Sequence, residues 1–223
     1  MSETPKPNAG RDLARIHRII TRGLEVSIEK GSSFATDGYP DIETREGYAK
    51  YVLTLVAVLH AHHLAEDELI FPYMRDRLPD VPYGSLESDH REMQSFLDAA
   101  SAAIGALPFD AQARQSLGDL IRALADMRGL WRPHIQTEES HFTEDKLDRV
   151  MDVTEHIELG KQSAQHAQAH SGPDFLVVPF LLYNLSPEER AVMAQSMPPV
   201  VTQELVPIAW KDKWAPMKPF LLD

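Results

Sequence analysis

The chain has no cysteine among its 223 residues. This absence excludes disulfide bonds, thiolate metal sites, iron–sulfur clusters and cysteine nucleophiles, so any metal must bind through nitrogen and oxygen atoms. Basic residues are also few, because 22 lysines and arginines stand against 34 acidic residues and give a net charge of −12. Nucleic acids and anionic membranes need a basic surface on their partner, so neither is expected as a partner here.

Long hydrophobic runs are missing as well. The longest runs, YVLTLVAVL and the proline-interrupted FLVVPFLLYNL, are too short to span a bilayer. The first ten residues, MSETPKPNAG, lack the apolar stretch of a signal peptide. We therefore expect a soluble, cytoplasmic protein in which residues 1–10 form a disordered tail. Hydrophobic residues still make up 43% of the chain, which is enough for one domain with a substantial core.

Apolar residues recur at helical spacing, and no segment shows the alternation of a β-strand. The pattern predicts long helices over about 12–31, 44–77, 85–104 and 110–142. Four long helices with short connections favour an all-α, up-and-down four-helix bundle, here over residues 11–144.

Residues 145–223 are predicted to form a helical C-terminal extension, beginning with a fifth helical segment over 145–170. The motif SPEE, Ser186 to Glu189, is a capping box with proline at the first helical position, which predicts a helix start. We expect this extension to pack on the bundle or to form a contact between copies of the chain.

Each of the four bundle helices carries a histidine on its apolar face. Two helices also carry an acid four residues later, so that the imidazole and the carboxylate leave the same side of the helix. Spacing alone does not choose between two such pairs in the second helix. The residues are His17, His62 with Glu66 or His63 with Asp67, His90, and His134 with Glu138.

An internal similarity favours one of the two registers. The segments HLAEDELIF (63–71) and HIQTEESHF (134–142) share a histidine, then two adjacent acids, then a phenylalanine at the same spacing. By this comparison, His63 and Asp67 correspond to His134 and Glu138.

Imidazoles and carboxylates inside a bundle are destabilising unless they are paired or bind a cation. Groups of this kind converging from four helices could hold one or two first-row ions, with the acids bridging ions about 3.5–4 Å apart. The nitrogen-rich set suits iron, manganese or zinc better than magnesium or calcium. The ferritin-like pattern is excluded, because here the histidine precedes the acid and there are too few acids.

These motifs resemble the hemerythrin-like, or HHE cation-binding, domain family. The resemblance covers about residues 12–142 and rests on His17, HHLAEDELIFP, DHREM and HIQTEE. It implies a four-helix bundle that holds a non-heme, carboxylate-bridged di-iron centre, with manganese or zinc as alternatives. Such centres bind dioxygen or respond to nitric oxide, peroxide or iron supply.

Carried over to this chain, the resemblance implies four terminal histidine ligands and two bridging carboxylates. Glu66 could take over from Asp67, whose side chain is shorter than the glutamate usual in the family. Oxygen carriers have a second histidine one turn after the ligand of the third helix, where this chain has Gln94, and this implies an open or water-filled coordination position. The implied ligands are His17, His63, His90 and His134, with Asp67 and Glu138 as the bridging acids.

The leading hypothesis is thus a protein that binds dioxygen, nitric oxide or peroxide in sensing, scavenging or iron handling. One alternative is a di-iron oxidoreductase acting on peroxide. A second is a DinB-like bundle with a single zinc or nickel ion, acting as a hydrolase or transferase. A third is an interaction module with a vestigial metal site, whose work is done by residues 173–223.

Overall fold

The computed structural model describes residues 6–106 and 113–223, and within these residues the structure is helical, with no strand. Its four long helices are α1 (Ala9–Asp37), α2 (Ile42–Ala65), α4 (Tyr83–Ala106) and α5 (Ala113–His141). Helix α1 packs against α2 and α5, and α4 packs against the same two helices. This arrangement is a four-helix bundle, which confirms the predicted all-α class.

The second predicted helix is divided near its end. After Ala65 the chain makes a π-helical turn, Glu66–Ile70, and then the short helix α3, Phe71–Met74. In the π turn the amide of Phe71 donates to the carbonyl of Glu66. Pro72 favours this wider turn, because it has no N–H to donate and its ring would crowd the carbonyl of Glu68 in a regular α-helix.

Helix α1 is longer at both ends than the sequence pattern indicated. It begins at Ala9, inside the predicted tail, because the side chain of Asn8 accepts hydrogen bonds from the first free amides. Residues 1–5 lie outside the described residues. The predicted stop at Gly31 is wrong. Gly31 packs closely against the hydroxyl group of Tyr48, and the helix ends only at Gly38, whose φ of 82° suits glycine.

The C-terminal extension consists of short helices. The predicted helix over 145–170 is two helices, because Asp152 and Glu155 form a capping box that starts a new one. The predicted start at Ser186 is present, with the serine side chain accepting from the Glu189 amide. The helices are α6 (Glu144–Val150), α7 (Val153–His170), α8 (Asp174–Tyr183), α9 (Pro187–Gln195), a π-helical segment (Val201–Ala209), α10 (Lys211–Trp214) and a 3-10 segment (Ala215–Phe220).

The extension covers the sides of α2 that the other bundle helices leave free. Helices α7 and α8 and the 3-10 segment all pack against α2, which has buried residues around most of its circumference. Gly47 makes one close approach possible, since a Cβ atom there would collide with the carbonyl of Pro216. Within the described residues, neither α2 nor any other helix is long and apolar enough to cross a membrane.

A polar contact also joins the extension to α1. The guanidinium of Arg22 donates to the side chain of Asn184 and, at 2.9 Å, to the backbone carbonyl of Phe220. The hydroxyl group of Tyr51 donates to the same Asn184 oxygen at 2.7 Å. These buried groups therefore satisfy each other where α1, α2, α8 and the chain end meet.

Candidate metal centre

Seven buried side chains from all four long helices and the π turn converge at one point inside the bundle. Each is at most 8% exposed. Their ligating atoms fall into three overlapping groups, within each of which all atoms lie within 4.8 Å of one another. The seven residues, hereafter the central cluster, are His17, His62, His63, Glu66, His90, His134 and Glu138.

The two glutamates are common to both halves of the central cluster. Glu66 and Glu138 form one group with His17 and His62, and another with His90 and His134. His63 forms the third group, again with His90 and His134. The cluster therefore has a two-histidine side and a three-histidine side, with the two carboxylates between them.

The central cluster fits a bound cation because its polar atoms lack other partners. Among the described residues, seven buried atoms of the cluster have no hydrogen-bond partner outside the cluster: Nε2 of His17, His62 and His63, and both carboxylate oxygens of Glu66 and of Glu138. Leaving buried polar atoms unpaired costs about 1–3 kcal/mol each, more for charged ones. Nitrogen and carboxylate oxygen donors in this number suit iron, manganese or zinc.

The carboxylates and imidazoles also perturb each other's protonation. Burial raises the pKa of Glu66 well above its usual value, and the nearby charge of Glu138 adds to the shift. Burial acts in the same direction on Glu138, but hydrogen bonds and charge from His134 and His17 outweigh it and lower the pKa of Glu138. Two carboxylates that share one buried space disfavour each other's ionisation unless a cation lies between them.

The pKa values of the cluster histidines also shift in opposite directions. Burial lowers the pKa of His62 and of His63 well below the usual value, and neighbouring imidazoles add to the shift. Burial also lowers the pKa of His17, but Glu138 and Glu139 outweigh it, so that the net shift is upward. His62 and His63 are therefore neutral near pH 7, as metal ligands must be.

Three aromatic residues enclose the central cluster. Trp131 is fully buried, and its ring centre lies 5.4 Å from that of His17 and 5.8 Å from that of His62. On the other side Phe71 stacks on His90 with ring centres 5.6 Å apart, and on Phe142 at 6.2 Å. These phenylalanines end the two similar segments 63–71 and 134–142. The polar cluster thus lies between apolar walls.

In the second helix, the structure brings together a different acid from the one that the internal similarity favoured. Both His62 and His63 lie in the central cluster, and Glu66 provides its second carboxylate. The preferred acid, Asp67, lies outside with 35% of its side chain exposed. Glu66 is three residues after His63 and four after His62, so it is on the face of both rings, whereas Asp67 is turned toward α4.

Gln94 does not point into the central cluster. Its amide oxygen lies 2.9 Å from Nδ1 of His60, and its amide nitrogen donates to Asp98 at 2.8 Å. The ring of His63 instead stacks on that of His90, with centres 4.1 Å apart. The third imidazole on this side of the cluster therefore comes from α2.

Three acids bind the outer nitrogens of cluster histidines, and sequence reasoning did not identify this role. Glu139 lies 2.9 Å from Nδ1 of His17, Asp67 lies 2.8 Å from Nδ1 of His90, and Asp89 lies 3.3 Å from Nδ1 of His134. Each acid is adjacent in sequence to a cluster residue, which is a signal that could have revealed them.

His156 and His166 lie in a polar stretch of the sequence that indicates a surface position, and for His156 this indication is wrong. It is 3% exposed, accepts a hydrogen bond from the Ala9 amide at 3.1 Å and lies 3.1 Å from Asp148, so it fixes the start of α1. His166, also expected at the surface, pairs with Glu68 of the π turn at 2.8 Å. Neither residue belongs to the central cluster.

Comparison with known proteins agrees with this geometry. The family model described as "Hemerythrin HHE cation binding domain" matches residues 9–144, which include all seven cluster residues. No curated protein and no solved structure matches the chain significantly. The chain is a helical protein with a metal-binding arrangement of histidines and glutamates, and it belongs to the hemerythrin HHE cation-binding domain family.

Proposed function

We propose that the central cluster holds two iron ions bridged by Glu66 and Glu138, and that the protein binds dioxygen, nitric oxide or peroxide in sensing, scavenging or iron handling. The observation that carries the proposal is the sharing of both glutamates by two separate groups of histidines. A carboxylate within reach of two sites can bridge two ions. Manganese and zinc remain alternatives on donor chemistry.

The residues divide unequally between the two ions. His17 and His62 would hold one ion, and His63, His90 and His134 would hold the other, with both glutamates shared. When bound, a ferrous pair supplies electrons and an open coordination position for a small ligand. Because fewer protein groups are available at the side of His17 and His62, the small ligand would bind there.

A cleft of about 410 Å³ between α1 and the end of α5 provides the approach to this side. Glu139 lines the cleft and also binds Nδ1 of His17, so the cleft floor adjoins the central cluster. Arg15, Arg18 and Ala14 line the facing wall. A small neutral or anionic ligand entering here would meet the two-histidine side first.

The test is metal analysis of anaerobically purified protein together with an optical spectrum. We expect about two irons per chain, and oxidised protein should show near-ultraviolet charge-transfer bands of a bridged ferric pair. Both signals should be lost in His134→Ala and Glu138→Ala and retained in Glu92→Gln, which changes an exposed acid of α4. Iron content unchanged in both cluster variants would refute the assignment.

A mononuclear zinc or nickel site is the second candidate, because His63, His90 and His134 form a three-histidine group without needing a carboxylate. Three protein ligands with an open position are typical of hydrolytic zinc sites. The two candidates predict different stoichiometry. Glu66→Gln should leave a three-histidine zinc site loaded, but it should abolish a pair of bridged irons.

A further inference from the structure

We infer that Asp67 and Asp89 are positioning residues that fix the tautomers of His90 and His134 and aim their inner nitrogens at the metal ions, and that Glu139 orients the ring of His17. The inference rests on the proposed metal function, and no role in binding was predicted for Asp89 or Glu139. Each acid meets a histidine from a different helical element, so the three contacts also join the elements around the cluster.

The tautomer follows from the chemistry of the contacts. An ionised carboxylate can only accept a hydrogen bond, so the Nδ1 atom it contacts must carry the proton. A neutral imidazole has one N–H, and its Nε2 atom is then a lone pair. Asp67 therefore makes Nε2 of His90 an acceptor, and Asp89 does the same for His134.

The two rings concerned face each other. Nε2 of His90 and Nε2 of His134 lie 3.1 Å apart in the interior of the bundle. One ring could donate to the other at this distance only if it carried a proton on both nitrogens; two neutral rings held by the acids instead present two lone pairs, which repel unless a cation lies beside them. The outer acids thus hold two donor atoms ready for a cation before it binds, which is how carboxylate–histidine pairs raise the basicity of metal ligands.

The three acids lie near the surface, which avoids the desolvation cost of burying their charges. The side chains of Asp67, Asp89 and Glu139 are 35%, 29% and 43% exposed, so each carboxylate keeps part of its hydration. The histidines they contact are at most 4% exposed. Negative charge is thereby placed next to the ligands without being buried among them.

The first experiment uses metal-free protein and nitrogen-15 NMR of the histidine rings above pH 8. In the wild type, His90 and His134 should be protonated at Nδ1. Asp67→Ala should convert His90 to a mixture of tautomers, and Asp89→Ala should do so for His134. Glu92→Ala, which removes an exposed acid from the same helix as Asp89, should change neither ring. Unchanged tautomers in both aspartate variants would overturn the inference.

The second experiment measures ferrous ion affinity by competition with a chelator. Each aspartate variant should bind the same number of ions at saturation as the wild type, with affinity reduced about 10- to 100-fold. Asp67→Asn and Asp89→Asn, which keep the shape but remove the charge, should show a smaller loss and serve if the alanine variants unfold. Affinity equal to that of Glu92→Ala would refute the inference.

The two proposals fail separately. If the wild type does not bind two irons but the tautomers change as described, the positioning role stands and the di-iron function fails. If the wild type binds two irons and the variants bind them equally well, the function stands and the positioning role fails.

Discussion

Replacing Glu66 by glutamine should stabilise the metal-free protein, although it removes a proposed metal ligand. Glu66 is 1% exposed, its oxygens have no hydrogen-bond partner outside the central cluster, and burial raises its pKa well above the usual value. A neutral glutamine of the same shape has an amide that can donate to Glu138. Replacing one buried carboxylate of this kind by a neutral amide should raise the free energy of unfolding by about 2 kcal/mol. For a chain of this size, this corresponds to an increase of about 4–8 °C in melting temperature.

The gain should depend on pH in a defined direction. The folded-state pKa of Glu66 lies above its unfolded value of 4.5, so the folded protein retains a proton that the unfolded chain loses as the pH rises. The free energy of unfolding of the metal-free wild type therefore falls as the pH rises above 4.5, and it stops falling once the pH passes the raised pKa. The stability difference between Glu66→Gln and wild type should vanish below about pH 4.5 and should grow as the pH rises above that value.

Thermal melts of chelator-treated protein at pH 4, 5.5 and 7.5 would check this, with Glu92→Gln as the matched control for loss of one surface charge. After loading with ferrous iron the order should reverse, because the wild type gains binding free energy that the variant lacks. A metal-free Glu66→Gln protein that melts at or below the wild-type temperature at pH 7.5 would show that Glu66 is satisfied by another group, and the case for a cation at this carboxylate would fall.

Three further outcomes are expected. His63→Ala should weaken the binding of one of the two irons in chelator titrations, whereas Gln94→Ala should bind both as the wild type does; equal effects would contradict the placement of His63. Ala14→Phe fills the cleft beside Glu139 and should slow nitric oxide association in stopped flow without changing iron content, and an unchanged rate would exclude this route. Gly47→Ala collides with the carbonyl of Pro216 and should lower the free energy of unfolding by about 1–3 kcal/mol. Its control, Gly84→Ala, has open space around it and should be neutral or slightly stabilising.

The bundle and most of its site were predictable because both depend on helical periodicity. His17, His90 and His134 lie on apolar helix faces that must pack together, so their rings are expected to meet inside the bundle. The structure brings them together. The start of α9 was predictable for a local reason, since Ser186 and Pro187 specify a cap regardless of tertiary packing.

The choice between Glu66 and Asp67 was not predictable from spacing. The comparison of segments 63–71 and 134–142 assumed equal helical geometry in both, but the π turn at Glu66–Ile70 is present only in the first. The local cause, Pro72, is visible in the sequence, whereas its effect on side-chain direction depends on packing against α4 and α7. His156 shows the same limit, because its burial depends on a contact with Ala9, which is 147 positions away in the sequence.

The dependence of α2 on the C-terminal helices means that the family boundary near residue 144 is not a folding boundary. A fragment ending there would keep every metal ligand proposed above, yet it would uncover the sides of α2 that α7, α8 and the 3-10 segment occupy. It would also leave the guanidinium of Arg22 without the acceptors provided by Asn184 and Phe220. Such a fragment should aggregate or unfold at low temperature, so biochemical work on the proposed metal site requires residues 145–223 as well.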